Sequence, residues 1–278
     1  YKAARAYVLY RDQQHQKRIE EEKATPNTDV KSPLNVTAED GSKHTLDINR
    51  LSNLINEACE GLTGVDSAAI LRDTQRNIFD GVTESDVAKA LVMSARTFIE
   101  KDPDYSTVAA RLLMDSIRRE GLSFVFNKPQ QASQQEMAET YPSYFKQYIL
   151  KAIDFELLSP DLAQYDLDLL GKALKPENDF NFTYLGLQTL YDRYFIHQDG
   201  TRFELPQAFY MRVAMGLASN EIDREERAIE FYNLLSSFDF MSSTPTLFNS
   251  GTLRPQLSSC YLTSVPDDLG GIYDAIRD

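Results

Sequence analysis

The feature that most constrains the fold is an ordered series of turn residues and helical apolar stripes between residues 35 and 122. An Asp40-Gly41 step between two short apolar segments predicts a β-hairpin, because Asp-Gly favours the tight turn that hairpins use. Four amphipathic helices are predicted after it, since apolar residues recur every three or four positions and Gly or Pro separates the stripes. Thr83, followed by Asp86, predicts the start of the third helix. The sequence therefore predicts a small hairpin followed by a four-helix bundle.

A second apolar region begins at Tyr144, where aromatic and aliphatic residues again recur at helical spacing. We interpret residues 143–240 as a helical domain whose aromatic side chains form core. Polar residues over 123–142 predict a linker, and charged and Pro-containing residues over 25–34 predict another. Helical patterns run to both ends of the sequence, so we expect the chain to be a piece of a longer protein. The predicted fold class is mostly α with small β.

The composition of the 278 residues limits the functional classes. With 42% hydrophobic and 26% charged residues, the chain has enough apolar side chains for at least two globular units. A formal net charge of -13 argues against a nucleic-acid backbone as partner, because such a partner needs a basic surface. No apolar run approaches the roughly 18 residues of a membrane helix, so we expect neither a membrane helix nor a secretory leader. The expected location is the cytoplasm, with no nucleic acid and no membrane as partner.

Histidine and cysteine are too scattered to predict a metal centre. Three histidines lack the paired spacing that metal ligands show: His15, His44 and His197. Cys59 lies beside Ala58 in the first predicted helix, where packing is favoured over chemistry. The sequence has no Walker loop and no dinucleotide-binding glycine motif. Two cysteines in separate units also argue against a disulfide-stapled secreted fold.

The most informative chemical motif lies near the C-terminus. A loop rich in Pro, Asn and Gly begins at Thr244-Pro245, and Ser258, Ser259 and Cys260 follow it and open an apolar run. This arrangement predicts a cysteine at the start of a strand, beside a loop where functional sites gather. Hydroxyls and backbone N–H groups of a Gly-containing turn favour anion binding. Free cysteines are commonly small buried hydrophobes, so the residues alone leave both a redox role and a packing role open.

This string resembles the start of the catalytic barrel in large (alpha) subunits of aerobic, class I type ribonucleotide reductases. The resemblance implies that Cys260 belongs to a redox pair that reduces the 2′-carbon of a ribonucleotide and is left as a disulfide. It implies that Thr244, Pro245 and Ser259 hold the substrate phosphates. It also implies that residues 241–278 begin a ten-stranded α/β barrel. The partner cysteine and the radical-forming cysteine are expected outside this sequence.

Asp267, Asp268 and Leu269 resemble the family segment that binds the specificity effector, a deoxynucleoside triphosphate. An acidic side chain there can accept a hydrogen bond from a ribose hydroxyl. The alternative is that the two aspartates cap a helix after Pro266. The two roles are compatible, and both are carried forward as hypotheses.

Residues 35–122 resemble the ATP-cone, the domain that controls overall activity in this family by binding ATP or dATP. Family cones commonly carry a Lys-Arg pair directly before the Asp-Gly turn, whereas this chain has Ala38 and Glu39. A carboxylate repels phosphate, so we interpret the cone as degenerate. Residues 1–24 resemble the tail of a preceding cone. Solvated positions on helix faces are favoured over phosphate contacts for three arginines: Arg50, Arg118 and Arg119.

The resemblance implies a radical-based reduction of ribonucleotides to deoxyribonucleotides for DNA synthesis, under allosteric nucleotide control. The implied substrate is a ribonucleoside diphosphate, with the triphosphate left open. The implied partners are a small radical-generating beta subunit with a metal centre, thioredoxin or glutaredoxin, and further alpha subunits in a homodimer or larger oligomer. Cobalamin is the alternative radical source. This chain alone is expected to be inactive, and the competing hypothesis is a non-catalytic ATP-cone module for regulation or assembly.

Overall fold

The computed structural model describes residues 34–38 and 41–277. Its first element is a hairpin of β1 (Asn35–Thr37) and β2 (Lys43–Thr45), in which Val36 lies opposite His44. This confirms the predicted hairpin, although Glu39 and Asp40 of its turn lie outside the described residues. A third strand, β3 (Val82–Thr83), pairs with β1 in parallel and was not predicted. The sheet order is β2-β1-β3.

The four predicted helices after the hairpin are all present. They are α1 (Ile48–Cys59), α2 (Ser67–Asn77), α3 (Glu84–Thr97) and α4 (Asp104–Phe126). The first three begin at side chains that accept a hydrogen bond from a backbone N–H one turn later, at Asp47, Asp66 and Thr83. Apolar side chains of the sheet and the helices form a buried core that includes Val36, Ile70 and Val108. We call residues 34–126 the first bundle.

The helix α4 is longer than the sequence predicted and belongs to two cores. Val108 and Leu112 are buried in the first bundle, whereas Ile117, Leu122 and Val125 are buried in the core that follows. The linker expected over 123–142 is therefore much shorter, because α4 continues to Phe126 and the next helix begins at Met137. Apolar side chains in the last turns of α4 keep it helical by packing on the second region.

The second region, residues 127–252, is a helical layer with one small hairpin. Its helices are α5 (Met137–Asp154), α6 (Leu167–Lys172), α7 (Tyr184–Arg193), α8 (Pro206–Leu217) and α9 (Arg224–Ser236), with 3-10 turns at Pro160–Gln164 and Pro176–Asn181. The hairpin joins β4 (His197–Gln198) and β5 (Thr201–Arg202) through Asp199 and Gly200, which both have positive φ. Asp-Gly suits this turn because both positions need left-handed backbone.

Two predictions about the C-terminal part are wrong. Thr244 and Pro245 do not lie in a loop but form the first turn of a short helix, α10 (Thr244–Asn249). No strand begins at Cys260, because residues 253–268 lie in neither helix nor strand and α11 (Leu269–Arg277) follows. A strand needs a neighbour for its backbone hydrogen bonds, and the described residues place none beside Cys260. The start of a ten-stranded barrel is not formed in the described part of the chain.

Two stretches predicted from the sequence lie outside the described residues: the cone tail at 1–24 and nearly all of the linker at 25–34. Within the residues described, no helix combines the length and the apolar character that crossing a membrane requires.

Candidate functional site

The candidate site is built on α10, whose first turn carries the predicted phosphate-binding residues. Thr244 and Pro245 are the first two residues of the helix, positions where Pro costs no intrahelical hydrogen bond. The Thr244 side chain is exposed, and its Oγ1 lies 3.2 Å from the hydroxyl oxygen of Tyr194 at the end of α7. The Tyr194 ring stacks on Phe248 of α10 at a centroid distance of 4.4 Å. The hydroxyl of Thr244 is thus held beside a fixed aromatic side chain.

Side chains of α10 also hold the segment that leads to Cys260. Thr246 Oγ1 donates to the carbonyl oxygen of Leu257 at 3.2 Å, and Asn249 Nδ2 donates to that of Gln256 at 2.8 Å. Ser259 and Cys260 follow within a few residues and are both exposed, with 3.7 Å between Ser259 Oγ and Cys260 Sγ. Hydrogen bonds from α10 therefore hold the segment directly before Ser259, and among the hydrogen bonds of the described residues none joins Ser259 or Cys260 to Thr244.

The C-terminal end of α10 is fixed by a buried arginine that sequence analysis missed. Arg212 of α8 donates from Nη1 to the carbonyl oxygen of Ser250 at 2.6 Å and from Nη2 to that of Leu247 at 3.3 Å. Carbonyls at a helix C-terminus lack intrahelical partners, so a cation there satisfies them and complements the helix dipole. Arg212 is completely buried, which places this contact in the interior of the protein.

The charge of Arg212 is balanced by Glu204, which is also completely buried. Glu204 Oε1 accepts from Arg212 Nε at 2.7 Å and from the Tyr148 hydroxyl at 2.5 Å, and Oε2 accepts from the backbone N–H of Ile196 at 2.9 Å. Burial is the largest single influence and lowers the pKa of Arg212, but the charges and hydrogen bonds of Glu204 and Tyr148 together raise it above its ordinary value. Burial, together with Glu204, raises the pKa of Tyr148 well above its ordinary value. The sequence did contain a signal for this pair, because Glu204 and Arg212 both lie inside the apolar run 203–215. Charged residues are rarely buried without a partner, so this position could have indicated an ion pair.

Two glycines let α8 approach the end of α10 closely. A Cβ atom at Gly216 would collide with the backbone nitrogen of Gly251, and Gly251 has a φ of +78°. The Ser250 hydroxyl donates to the carbonyl oxygen of Val213 at 2.7 Å across the same contact. The end of α10 is therefore held by backbone contact as well as by Arg212.

The predicted effector residues lie directly before α11 and at its first residue. Asp268 Oδ1 accepts from the backbone N–H of Gly271 at 2.9 Å and caps α11, which confirms the capping hypothesis for Asp268 but not for Asp267. Asp267 and Leu269 are exposed. Among the hydrogen bonds of the described residues, none joins Asp267–Leu269 to Thr244 or Cys260.

Two positions before the hairpin turn correspond to the basic pair of family cones. Ala38 is uncharged, and Glu39 lies outside the described residues. Ala38 only closes the turn, donating from its N–H to Ser42 O at 2.9 Å and accepting from Gly41 N–H at 3.0 Å. Arg50 donates to the side chain of Gln131. Ala38 therefore offers backbone groups but no cation at its position before the turn.

Arg118 does not lie on a solvated helix face, so the favoured prediction for it is wrong. It is buried, and its Nη2 lies 2.8 Å from Asp179 Oδ2. Asp179 also accepts from the Tyr141 hydroxyl at 3.0 Å and from Gln207 Nε2 at 2.7 Å. This cluster joins α4 of the first bundle to α5 and α8 of the second region. Periodicity did not reveal it, because it depends on contacts between distant segments.

Neither cysteine is in a disulfide, and their surroundings differ. Cys59 is half-buried and packs against the first core, and burial raises the pKa of its thiol. Cys260 is exposed. Within residues 34–38 and 41–277, no three His, Cys, Asp or Glu side chains are arranged to hold a metal ion.

Two family matches define the class of protein. The ATP cone domain matches residues 34–120, which contain the hairpin, α1 to α3 and most of α4. The all-alpha domain of ribonucleotide reductase matches residues 180–255, which contain α7 to α10. The chain thus combines an ATP cone with a ribonucleotide reductase all-alpha domain.

The chain is also similar to individual alpha, or large, subunits of ribonucleoside-diphosphate reductase. The chain is 43% identical to the ribonucleoside-diphosphate reductase subunit alpha of Chlamydia trachomatis over 281 residues, covering 100% of the chain and 26% of the relative. It is 34% identical to the alpha subunit of Helicobacter pylori over 88% of the chain and 30% of the relative. It is 32% identical to the ribonucleoside-diphosphate reductase large subunit of Danio rerio, again over 88% of the chain and 30% of the relative. The chain carries an ATP cone and an all-alpha domain of the ribonucleotide reductase type, and it spans 26% to 30% of the length of these curated relatives.

Proposed function

We propose that this chain is the N-terminal part of a ribonucleotide reductase large subunit and contributes one wall of its substrate site. The observation that carries the proposal is the anchoring of α10. The all-alpha domain fixes this helix through Arg212, and the helix in turn holds the segment that ends in Cys260. A preorganised site needs its functional side chains on fixed elements, and α10 supplies that support.

In this proposal Cys260 is one of two thiols that reduce a ribonucleotide. The C2′–O bond breaks and the oxygen leaves as water, a C2′–H bond forms, and two thiols become one disulfide, so two electrons and two protons pass to substrate and water. A thiyl radical opens the sequence by taking the 3′-hydrogen and later returns it. Exposure of Cys260 suits this role, because the thiol must meet the substrate and then an external reductant.

Thr244, Pro245 and Ser259 are proposed to hold the substrate phosphates. The hydroxyls of Thr244 and Ser259 are both exposed and available as donors to an anion. A nucleoside diphosphate is the favoured substrate. Asp267, Asp268 and Leu269 are proposed to contact a deoxynucleoside triphosphate effector, and Asp267 is the freer carboxylate because Asp268 caps α11.

Further protein partners are proposed for the intact protein. A small beta subunit with a metal centre would supply the radical, and thioredoxin or glutaredoxin would reduce the disulfide. A homodimer or larger assembly of alpha subunits in the cytoplasm completes the proposal.

The cone is proposed to be structural rather than nucleotide-sensing, because Ala38 and Glu39 replace a basic pair. Titration calorimetry of the 278-residue chain with ATP or dATP should give binding no tighter than about millimolar, roughly 4 kcal/mol. Restoring the pair with Ala38→Lys and Glu39→Arg should tighten binding, since two cations then face the phosphates. Micromolar binding by the natural sequence would refute the proposal for the cone.

Exchange of each cysteine tests the catalytic proposal in the intact protein. Cys260→Ser should abolish steady-state deoxynucleotide formation with any external dithiol, because serine cannot form the disulfide. Cys59→Ser is the matched control and should keep turnover, since Cys59 packs in the first bundle. Wild-type turnover by Cys260→Ser would show that Cys260 is not a reductant.

A further inference from the structure

Tyr194 stands out because its hydroxyl is fixed beside the residue proposed to bind phosphate. Its oxygen lies 3.2 Å from Thr244 Oγ1. Its ring stacks on Phe248 of α10 with an interplanar angle of 22° and meets Phe209 of α8 edge-on at 6.4 Å. Its backbone N–H donates to Leu190 O at 2.8 Å and closes α7. Three elements therefore determine where this hydroxyl lies.

The chemistry of the two hydroxyls favours one direction of their hydrogen bond. A phenol is far more acidic than an aliphatic alcohol and is the stronger hydrogen-bond donor. Either hydroxyl can donate in this contact, and the more acidic phenol is the favoured donor. With Tyr194 donating to Thr244 Oγ1, the hydrogen of Thr244 is free to point elsewhere. Because Thr244 is exposed, that hydrogen is available to an anionic oxygen that arrives from solvent.

We infer that Tyr194 is a positioning residue, which orients the Thr244 hydroxyl as a donor to a nucleotide phosphate. The inference rests on the proposed function, because it takes Thr244 to be a substrate contact. Tyr194 acts through Thr244 and does not itself touch the substrate. Without the phenol, the threonine hydroxyl can rotate and must be ordered when the nucleotide binds, which weakens binding.

Tyr194→Phe tests the inference in the intact protein supplied with its radical source and a dithiol. The variant keeps the ring contacts with Phe248 and Phe209 and removes only the hydroxyl. We expect the KM for the nucleoside diphosphate to rise roughly 3- to 10-fold, as for one lost neutral hydrogen bond, with kcat within about twofold of wild type. The melting temperature should stay unchanged. Unchanged KM, or a loss of melting temperature that accompanies the loss of activity, would refute the inference.

Two further variants separate positioning from other effects. The control variant is Tyr191→Phe, on α7, the helix at whose end Tyr194 lies. It removes the 2.6 Å hydrogen bond from the Tyr191 hydroxyl to Glu120 Oε2, a residue of α4 and not of α10, and should lower the melting temperature without changing KM.

The second variant combines Tyr194→Phe with Thr244→Ala. Its KM should equal that of Thr244→Ala alone, because the two residues act as one unit. KM effects that multiply in the double variant would refute positioning. If the wild-type protein reduces no nucleotide, the proposed function itself fails.

Discussion

The two cores of this chain are stabilised in different ways. Apart from Arg118, whose partner Asp179 belongs to the second region, the first bundle buries apolar side chains and small polar ones such as Thr74 and Ser94. The second region also buries charged residues, including Asp179, Glu204 and Arg212, and pairs each of them. An apolar core tolerates small adjustments, whereas a buried charge requires its partner to be in place. The part of the chain that supports α10 is therefore the part with the stricter geometry.

The largest effect should come from removing the charge that holds α10. Arg212→Met leaves Glu204 buried without its cation and leaves the carbonyl of Ser250 without its donor. We expect the free energy of unfolding of the chain to fall by about 3 to 5 kcal/mol, measured by urea denaturation.

The matched control for this substitution is Arg227→Met. Arg227 makes an exposed ion pair with Glu230 one turn away, so its loss should cost at most about 1 kcal/mol. Equal costs at the two positions would contradict the contrast between buried and exposed pairs.

A smaller effect separates two tyrosines of the same core. Tyr148→Phe removes a hydrogen bond to a buried carboxylate and should destabilise the chain by about 1.5 to 3 kcal/mol. The Tyr210 hydroxyl is buried without a protein partner, so Tyr210→Phe should be neutral or stabilising. The two urea midpoints should move apart, and a loss of stability in Tyr210→Phe would show that a bound water satisfies that hydroxyl.

The smallest effect concerns the cap of α3 in the first bundle. Thr83→Ala removes the hydroxyl that accepts from the Asp86 N–H at 3.1 Å and should lower the free energy of unfolding by roughly 1 kcal/mol.

Hydrogen bonds from Lys89 and Thr83 lower the pKa of Asp86. A lowered carboxyl pKa stabilises the fold at neutral pH, and this contribution is lost as the pH falls through about 4 and below. Thermal melts of Asp86→Asn should therefore lie below wild type at pH 7 and approach it in acid.

Much of the first bundle could be predicted because its determinants are local. Caps such as Asp66 and Thr83 act within one turn, and apolar stripes have the period of the helix that they form. The strand β3 escaped prediction because two residues, Val82 and Thr83, carry no period and gain their conformation from β1. The length of α4 escaped for a similar reason, since its last turns are stabilised by the second region.

At the candidate site, sequence predicted residue types better than their local structure. The motif around Thr244 and Cys260 was found, but its loop is a helix and its strand is not formed in the described residues. Glu204, Arg212 and Tyr194 were missed, because their roles depend on partners many residues away. Nothing in the spacing of a single segment indicates such partners.

The 23-residue helix α4 has a consequence for how such a domain is inherited. At about 1.5 Å per residue it is roughly 35 Å long, and the cone match ends at residue 120, before its last turns. Leu122 and Val125 in those turns are buried by the second region. The cone match therefore ends at residue 120, whereas the helix and the contacts that stabilise its end continue to Phe126. A cone moved to another protein has to bring the end of this helix along and meet a new apolar surface there.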